Sequence, residues 1–189
     1  MPGINSEFTD IMIDLETLGT VPGCAIVSIG AVAFNEFGMH EIGFYRAIQI
    51  PEWDTPGDTP DGLHKDAGTI KWWKDQSPAA LKVFHEGRFS TRSAISELAR
   101  YIAEFGKPRV WGNGADFDNP IIAVAAHKVG LSPKDVWAGY NGRCYRTVKN
   151  QFKDIKLARV GTYHNALDDA RSQAQHLVDI CRQRGWRLV

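Results

Sequence analysis

Three stretches of the chain carry acidic side chains where an ordinary core or loop has no need of them. The first is "IMIDLETLGT", residues 11 to 20, where Asp14 and Glu16 interrupt an apolar run. Side chains of a strand alternate between its faces, so these two carboxylates share one face. A carboxylate buried without a partner is costly, and a pair of them needs a cation between them, a shared proton or an open cleft. The second stretch is "WGNGADFDNP", with Asp116 and Asp118 just ahead of a helix. The third is "HNALDDARSQA", in which His164 precedes a helix whose first turns hold Asp168 and Asp169. Each alone has a plain reading as a solvated acid, a helix cap, or charge set against the positive end of a helix. The "DFDN" segment is no calcium loop, because the twelfth position from Asp116 is His127 and the bend glycine is missing. Together, several carboxylates and an imidazole without a cysteine suit hard divalent cations and hydrolytic chemistry.

Periodicity indicates the elements that must position these groups. Residues 11 to 15 read as a buried strand, "LGTVPGC" as a break, "AIVSIGAVAF" (25 to 34) as a second strand and "EIGFYRAIQI" (41 to 50) as a third. The short turn at Asn35 to Gly38 makes the last two a hairpin or meander. The Pro-, Gly- and Asp-rich segment 51 to 68 reads as a long surface loop, a kind that often carries function. The repeat then changes to the helical 3.6. Thr69 is expected to cap "IKWWKDQ", and Ser77 with Pro78 to open "AALKVFHE". Ser90 or Thr91 opens "RSAISELARYIAEF", closed by Gly106. "RVWGNG" (109 to 114) is a short strand, while "NPIIAVAAHKVG", "RTVKNQFKDI" and "NALDDARSQAQHLVDICRQRG" read as helices. Strands first, then helices around a further strand, imply an α/β fold with a mixed sheet flanked by helices.

With 189 residues and 43% hydrophobic content, the chain is expected to form a single domain over residues 10–189 behind an irregular polar lead-in at 1–9. Lys plus Arg and Asp plus Glu both total 22, so any binding to nucleic acid must rest on local patches. Cys24, Cys144 and Cys181 fall in no metal-ligand spacing, which argues against structural zinc and for a reducing compartment. No run approaches the ~18 apolar residues of a membrane span, and the first ten residues lack the features of a secretory signal. The expectation is a cytoplasmic protein with no membrane partner.

The acidic motifs occur in an order that resembles the DEDDh (DnaQ-like) family of 3′-to-5′ exonucleases, which have an RNase H-like fold. The matching residues are Asp14 and Glu16 in "IDLETLG", Asp118 in "ADFDNPII", and His164 and Asp169 in "HNALDDA". The resemblance runs over about residues 10 to 182. "TIKWWKDQS", with "IDLETLGT" and "IVSIGAVAF", looks most like a bacterial and phage branch described variously as exodeoxyribonucleases and exoribonucleases. The resemblance implies a mixed five-stranded sheet and two Mg²⁺ or Mn²⁺ ions. The implied activity is release of nucleotides from the 3′ end of single-stranded DNA or RNA. It places Asp14 between the two ions, Glu16 and Asp169 on the first, and Asp118 on the second. His164 becomes the general base, an imidazole with an ordinary pKa near ~6.5 that can take a proton from the attacking water. The aromatic residue that precedes the family's second aspartate selects Asp118, after Phe117, over Asp116. The five-residue offset from the histidine selects Asp169; Asp168 would lie about 100° away around the helix. His64, in the long loop, is the other histidine considered.

Substrate contacts are expected from three places. The segment 141 to 160 carries Arg143, Arg146, Lys149, Lys153, Lys156 and Arg159 against Asp154. Spacings of three, three, four and three from Arg143 to Lys156 would set five of these on one helical stripe able to follow a phosphate backbone, or simply to meet solvent. Trp72 and Trp73 cannot both face the core of one helix, so at least one is available to stack on a base. Thr17 and Leu18, after Glu16, occupy the place where the resembling family holds the terminal nucleotide. Two rival readings are an inactive nucleic-acid-binding module of the same fold and a hydrolase of short oligonucleotides. A homodimer is compatible with the chain.

Overall fold

The computed structural model describes residues 7 to 188. Its main sheet has five strands. β1 (Asp10–Thr17) is central, antiparallel to β2 (Ile26–Phe34) and parallel to β6 (Arg109–Gly112). β3 (Phe44–Ala47) pairs antiparallel with β2 on one edge. On the other edge β7 (Gly142–Cys144) pairs parallel with β6. All eight residues of β1 are buried, as expected for a strand with neighbours on both sides and helices on both faces.

The two faces of β1 look into two different cores. Ile11, Ile13 and Leu15 pack with side chains of α1 (Ala67–Lys74), α2 (Pro78–Glu86), α3 (Thr91–Ala103), α4 (Asp118–Lys128) and the short α5 (Pro133–Val136). Met12 packs on the other face with residues of α6 (Tyr145–Gln151) and α7 (Ala166–Arg184). Asp10, Asp14 and Glu16 alternate with the apolar set and so belong to the α7 face.

Gly30 determines how near α7 comes. It is the partner of Asp14 across the β1–β2 ladder, and a Cβ built there would sit 2.1 Å from the carbonyl carbon of Ala166. The start of α7 therefore rests on bare backbone beside Asp14, a contact only glycine permits. Asn165 caps that helix by accepting from the Leu167 and Asp168 amides, and Gly185 ends it at φ +62. Ser77 and Ser90 cap α2 and α3 as expected.

Several local expectations are corrected. The segment 51 to 68 holds a small two-stranded ladder, β4 (Gly57–Asp58) with β5 (His64–Lys65). The cap of α1 is Asp66, whose carboxylate accepts from the Thr69 amide at 2.7 Å. Thr69 itself is already inside the helix. The third strand is shorter than the apolar pattern that suggested it, covering only residues 44 to 47. The helix expected over residues 146 to 155 stops at Gln151. Residues just before it form the edge strand β7, which is too short to leave a periodic signal. Of the lead-in, residues 1 to 6 lie outside the described residues. Phe8 packs edge-on against His40 and Phe105, and the Thr9 carbonyl accepts from the Arg109 amide. Among the described residues no helix is long and apolar enough to cross a membrane.

Candidate active site

Four carboxylates from three elements converge at the C-terminal end of β1. Asp14 and Glu16 come from the strand, Asp118 from the first turn of α4, and Asp169 from the first turn of α7. All four are buried, Asp118 most completely at 1% exposure. Asp118 reaches the cluster because β6 ends in Gly112, where an added Cβ would stand 2.9 Å from the Asp118 Cβ. Its carboxylate accepts from the amides of Leu15 (3.2 Å) and Asn113 (2.5 Å), which ties α4 to β1. Asp14 Oδ1 accepts from the side-chain amide of Gln173 at 2.6 Å.

His164 enters from the turn before α7. It adopts a left-handed backbone, φ +60, a conformation that costs a non-glycine residue on the order of 1–3 kcal/mol and is tolerated where surroundings hold it. Those surroundings are the edges of Trp72, Trp73 and Tyr163, with ring centroids 4.9, 6.2 and 4.9 Å away. Its Nδ1 lies 4.0 Å from Glu16 Oε2. Ligand atoms of Glu16, His164 and Asp169 all fall within 4.8 Å of one another.

The electrostatics of the cluster are those of buried acids that repel one another and resist ionisation without a counter-charge. Burial, followed by repulsion from Asp118, Glu16 and Asp169, raises the pKa of Asp14 well above the usual carboxylate range. Burial, then Asp169 and Asp118, pushes Glu16 up to about 8. Burial lifts Asp118 to about 6 against the backbone amides that lower it. Asp169 is also raised by burial, although Arg159 opposes the shift. The Arg159 guanidinium forms an ion pair with Asp169 and lies over the Tyr163 ring, 4.1 Å from its centroid. His164 is lowered, chiefly by burial, and so is neutral at neutral pH. A compact set of oxygen donors with one imidazole and no thiolate suits hard divalent cations, and Asp14, Glu16, Asp118 and Asp169 are the residues that could hold one.

Beside the acids lies a recess of about 410 Å³, lined by Leu15, Glu16, Thr17, Thr69, Trp72 and Phe117 among others. Trp72 is 43% exposed and edges His164, so it is the available member of the double tryptophan. Trp73 corrects the expectation that attached to it. It is fully buried, and its indole N–H donates to the Thr17 carbonyl at 2.8 Å, supporting the recess from below without offering a stacking face. Leu18 is likewise wholly buried in the core, so its side chain anchors the turn and has no surface for a nucleotide. Thr17 lines the recess, with its hydroxyl bonded to the Gly19 carbonyl.

The basic segment does not form one helical stripe. Arg143 lies on β7, where its guanidinium donates to the carbonyls of Tyr140 and Gly142. Arg146 and Lys149 lie on α6. Lys153 and Lys156 follow the end of that helix. Arg146 donates to the Asn113 carbonyl at 2.7 Å, which puts it next to the segment that binds Asp118. Lys149 sits over the Tyr145 ring. The two decoy aspartates stay outside the cluster: Asp116 is exposed, and Asp168 accepts from the Thr162 amide. His64 is exposed and pairs with Asp58, away from the acids. Sequence reasoning missed Gln173, although its i+4 offset from Asp169 places the two on one helix face. It also missed the pairing of Arg159 with Asp169, which no spacing rule signals across a turn.

A family model described as the 3′-5′ exoribonuclease Rv2179c-like domain matches residues 9–181. An exodeoxyribonuclease of Enterobacteria phage T4 is 30% identical over 123 residues, a match that takes in 60% of this chain and 53% of the phage protein. The matched part thus spans about half the length of that relative. Among solved structures, S. pombe Pop2p with Mg²⁺ and Mn²⁺ bound aligns at TM-score 0.64 and 12% identity, covering 95% of this chain and 85% of that one. The nuclease domain of 3′hExo, a DEDDh family member bound to rAMP, aligns at TM-score 0.62 and 13% identity over 95% of each chain. E. coli exonuclease I in complex with an oligonucleotide aligns at TM-score 0.59 and 14% identity, over 92% of this chain and 41% of that one. These likenesses establish the RNase H-like fold of the DEDDh exonucleases.

Proposed function

This chain belongs to the 3′-5′ exoribonuclease Rv2179c-like domain family, and from that premise we propose that it is a divalent-metal-dependent 3′-to-5′ exonuclease releasing nucleotides from a single-stranded 3′ end. The observation that carries this reading is the meeting of Asp14, Glu16, Asp118, Asp169 and His164 at the mouth of an apolar recess. Two Mg²⁺ or Mn²⁺ ions, when bound, supply Lewis-acid neutralisation of charge at the leaving 3′ oxygen and ease ionisation of water. Asp14, Glu16, Asp118 and Asp169 would hold the ions. His164, kept neutral by burial, accepts the proton of the attacking water. Trp72 gives the terminal base a stacking surface, with Thr17 and Phe117 on the same recess. Arg143, Arg146 and Lys149, on β7 and α6, would meet upstream phosphates. RNA is the substrate favoured by the family description, whose match spans nearly the whole chain, against a shorter match to the phage exodeoxyribonuclease.

The test is digestion of 5′-labelled single-stranded RNA and DNA of equal sequence with Mg²⁺, Mn²⁺ or EDTA, beside Asp14→Ala. A ladder shortening from the 3′ end, faster on RNA and absent with EDTA and in the variant, is expected. Activity that persists in EDTA would defeat the metal-dependent reading. Substrates of increasing length distinguish a polynucleotide exonuclease from a hydrolase of short oligonucleotides.

A further inference from the structure

Gln173 is buried at 5% exposure on the face of α7 that continues from Asp169. Its Nε2 donates to Asp14 Oδ1 at 2.6 Å, while its Oε1 is buried with no partner among the described residues. Three residues on, His176 occupies the same face, and both its ring nitrogens are engaged, with the Tyr145 hydroxyl and the Ile155 carbonyl. A leucine or methionine at 173 would fill the space and avoid desolvating an amide whose acceptor goes unused. The amide is therefore a cost to the fold that only its bond to Asp14 offsets.

We propose that Gln173 is a positioning residue of the metal site, orienting the Asp14 carboxylate through one oxygen without neutralising it. The choice of group is the physical point. An arginine or lysine in that place would orient Asp14 equally well but would cancel the charge that a divalent cation needs, and would compete for the same oxygens. A neutral amide donor holds the carboxylate plane and leaves its charge to the cation. The proposal rests on the metal-holding reading of the four acids.

The test measures Mn²⁺ binding by calorimetry in the absence of nucleic acid, together with melting temperature in EDTA. It compares the full chain with Gln173→Met, Gln173→Asn and Gln175→Met. Methionine keeps the volume and removes the donor; asparagine keeps the amide but withdraws it by one methylene. Gln175, whose amide bonds Asp179, is the control on the same helix. We expect Mn²⁺ affinity to fall about 10–100-fold in both Gln173 variants and to hold in Gln175→Met, with the melting temperature of Gln173→Met in EDTA unchanged or raised. Wild-type affinity in the Gln173 variants would overturn the proposal. So would an affinity loss in Gln173→Met that comes with a comparable loss of melting temperature. Failure of the wild-type protein to bind Mn²⁺ would overturn the metal-holding reading itself, and this proposal with it.

Discussion

The two ends of β1 bury carboxylates on the same face and treat them in opposite ways. At the N-terminal end, Asp10 is fully buried and saturated: Arg109 grips both oxygens at 2.7 Å, and the Trp111 indole and the Thr9 hydroxyl add bonds of 2.7 Å each. Arg109 also holds the Leu188 carbonyl, so this acid ties the strand to the last residues described. At the C-terminal end, Asp14 and Glu16 share a pocket with Asp118 and Asp169, and the one described ion pair from an arginine falls on Asp169. Burial is similar at the two ends. The difference lies in the supply of positive charge, which makes Asp10 a structural acid and leaves Asp14 and Glu16 without a matching cation from the described residues, as the proposed metal site requires.

The sharpest way to break this contrast is to neutralise one acid at each end. Asp14→Asn is expected to lower exonuclease activity by at least about 10³-fold while its melting temperature in EDTA stays level or rises, because a repelling charge is gone. Asp10→Asn should do the reverse. Leaving Arg109 and the buried amide poorly matched costs about 3 kcal/mol of stability, read by urea denaturation, and the folded fraction keeps its activity. If Asp14→Asn proved the more destabilising of the two, the division between structural and functional ends would fail.

A middling effect is expected from pH. The unfolded chain releases the Glu16 proton near its ordinary value of 4.5, whereas the fold retains it up to about 8. Between those values the folded state binds more protons, so its stability falls as pH rises. Asp14, raised in the same direction, adds to the trend. Melting temperature in EDTA should therefore decline from about pH 5 to pH 8, and the gain on adding Mn²⁺ should widen over the same interval. A metal-induced gain that shrank with rising pH would contradict this picture of the cluster.

The smallest effect concerns Arg159, whose side chain is 43% exposed where it meets Asp169. A screened pair of this kind is worth little, so Arg159→Ala is expected to tighten Mn²⁺ binding by about two- to fivefold by removing a competitor for Asp169. Weaker binding in calorimetry would instead make Arg159 a support that the aspartate requires.

How much of this was legible beforehand depends on what each residue does to a pattern. Asp14 and Glu16 stand out because they break an apolar run, and Asp118, His164 and Asp169 because they cluster at the starts of helices in an order that resembles the family's. The decoy Asp116 separates from Asp118 by the aromatic Phe117 that the family pattern sets before its aspartate, and Asp168 separates from Asp169 by its offset from the histidine. Trp72 and Trp73 were legible as a pair, but which one was free depended on how α1 rolls against the sheet. The basic residues misled, since a regular spacing of lysines and arginines is compatible with a helix, a strand and a loop in succession, as found from β7 through α6.

The candidate acids are legible from residue type and order along the chain, local properties that hydrophobic patterning leaves visible. Only the folded arrangement separates the acid that receives an arginine on both oxygens from those that do not. Arg109 is 99 residues from Asp10, and Gln173 is 159 residues from Asp14. Such distances in sequence carry no periodic signal. The first closes through the β1–β6 pairing, which sets Asp10 opposite Arg109, and the second closes because Gly30 lets α7 settle onto β2 beside Asp14. Strand pairing at one end and a helix resting on bare backbone at the other decide which partner each acid receives.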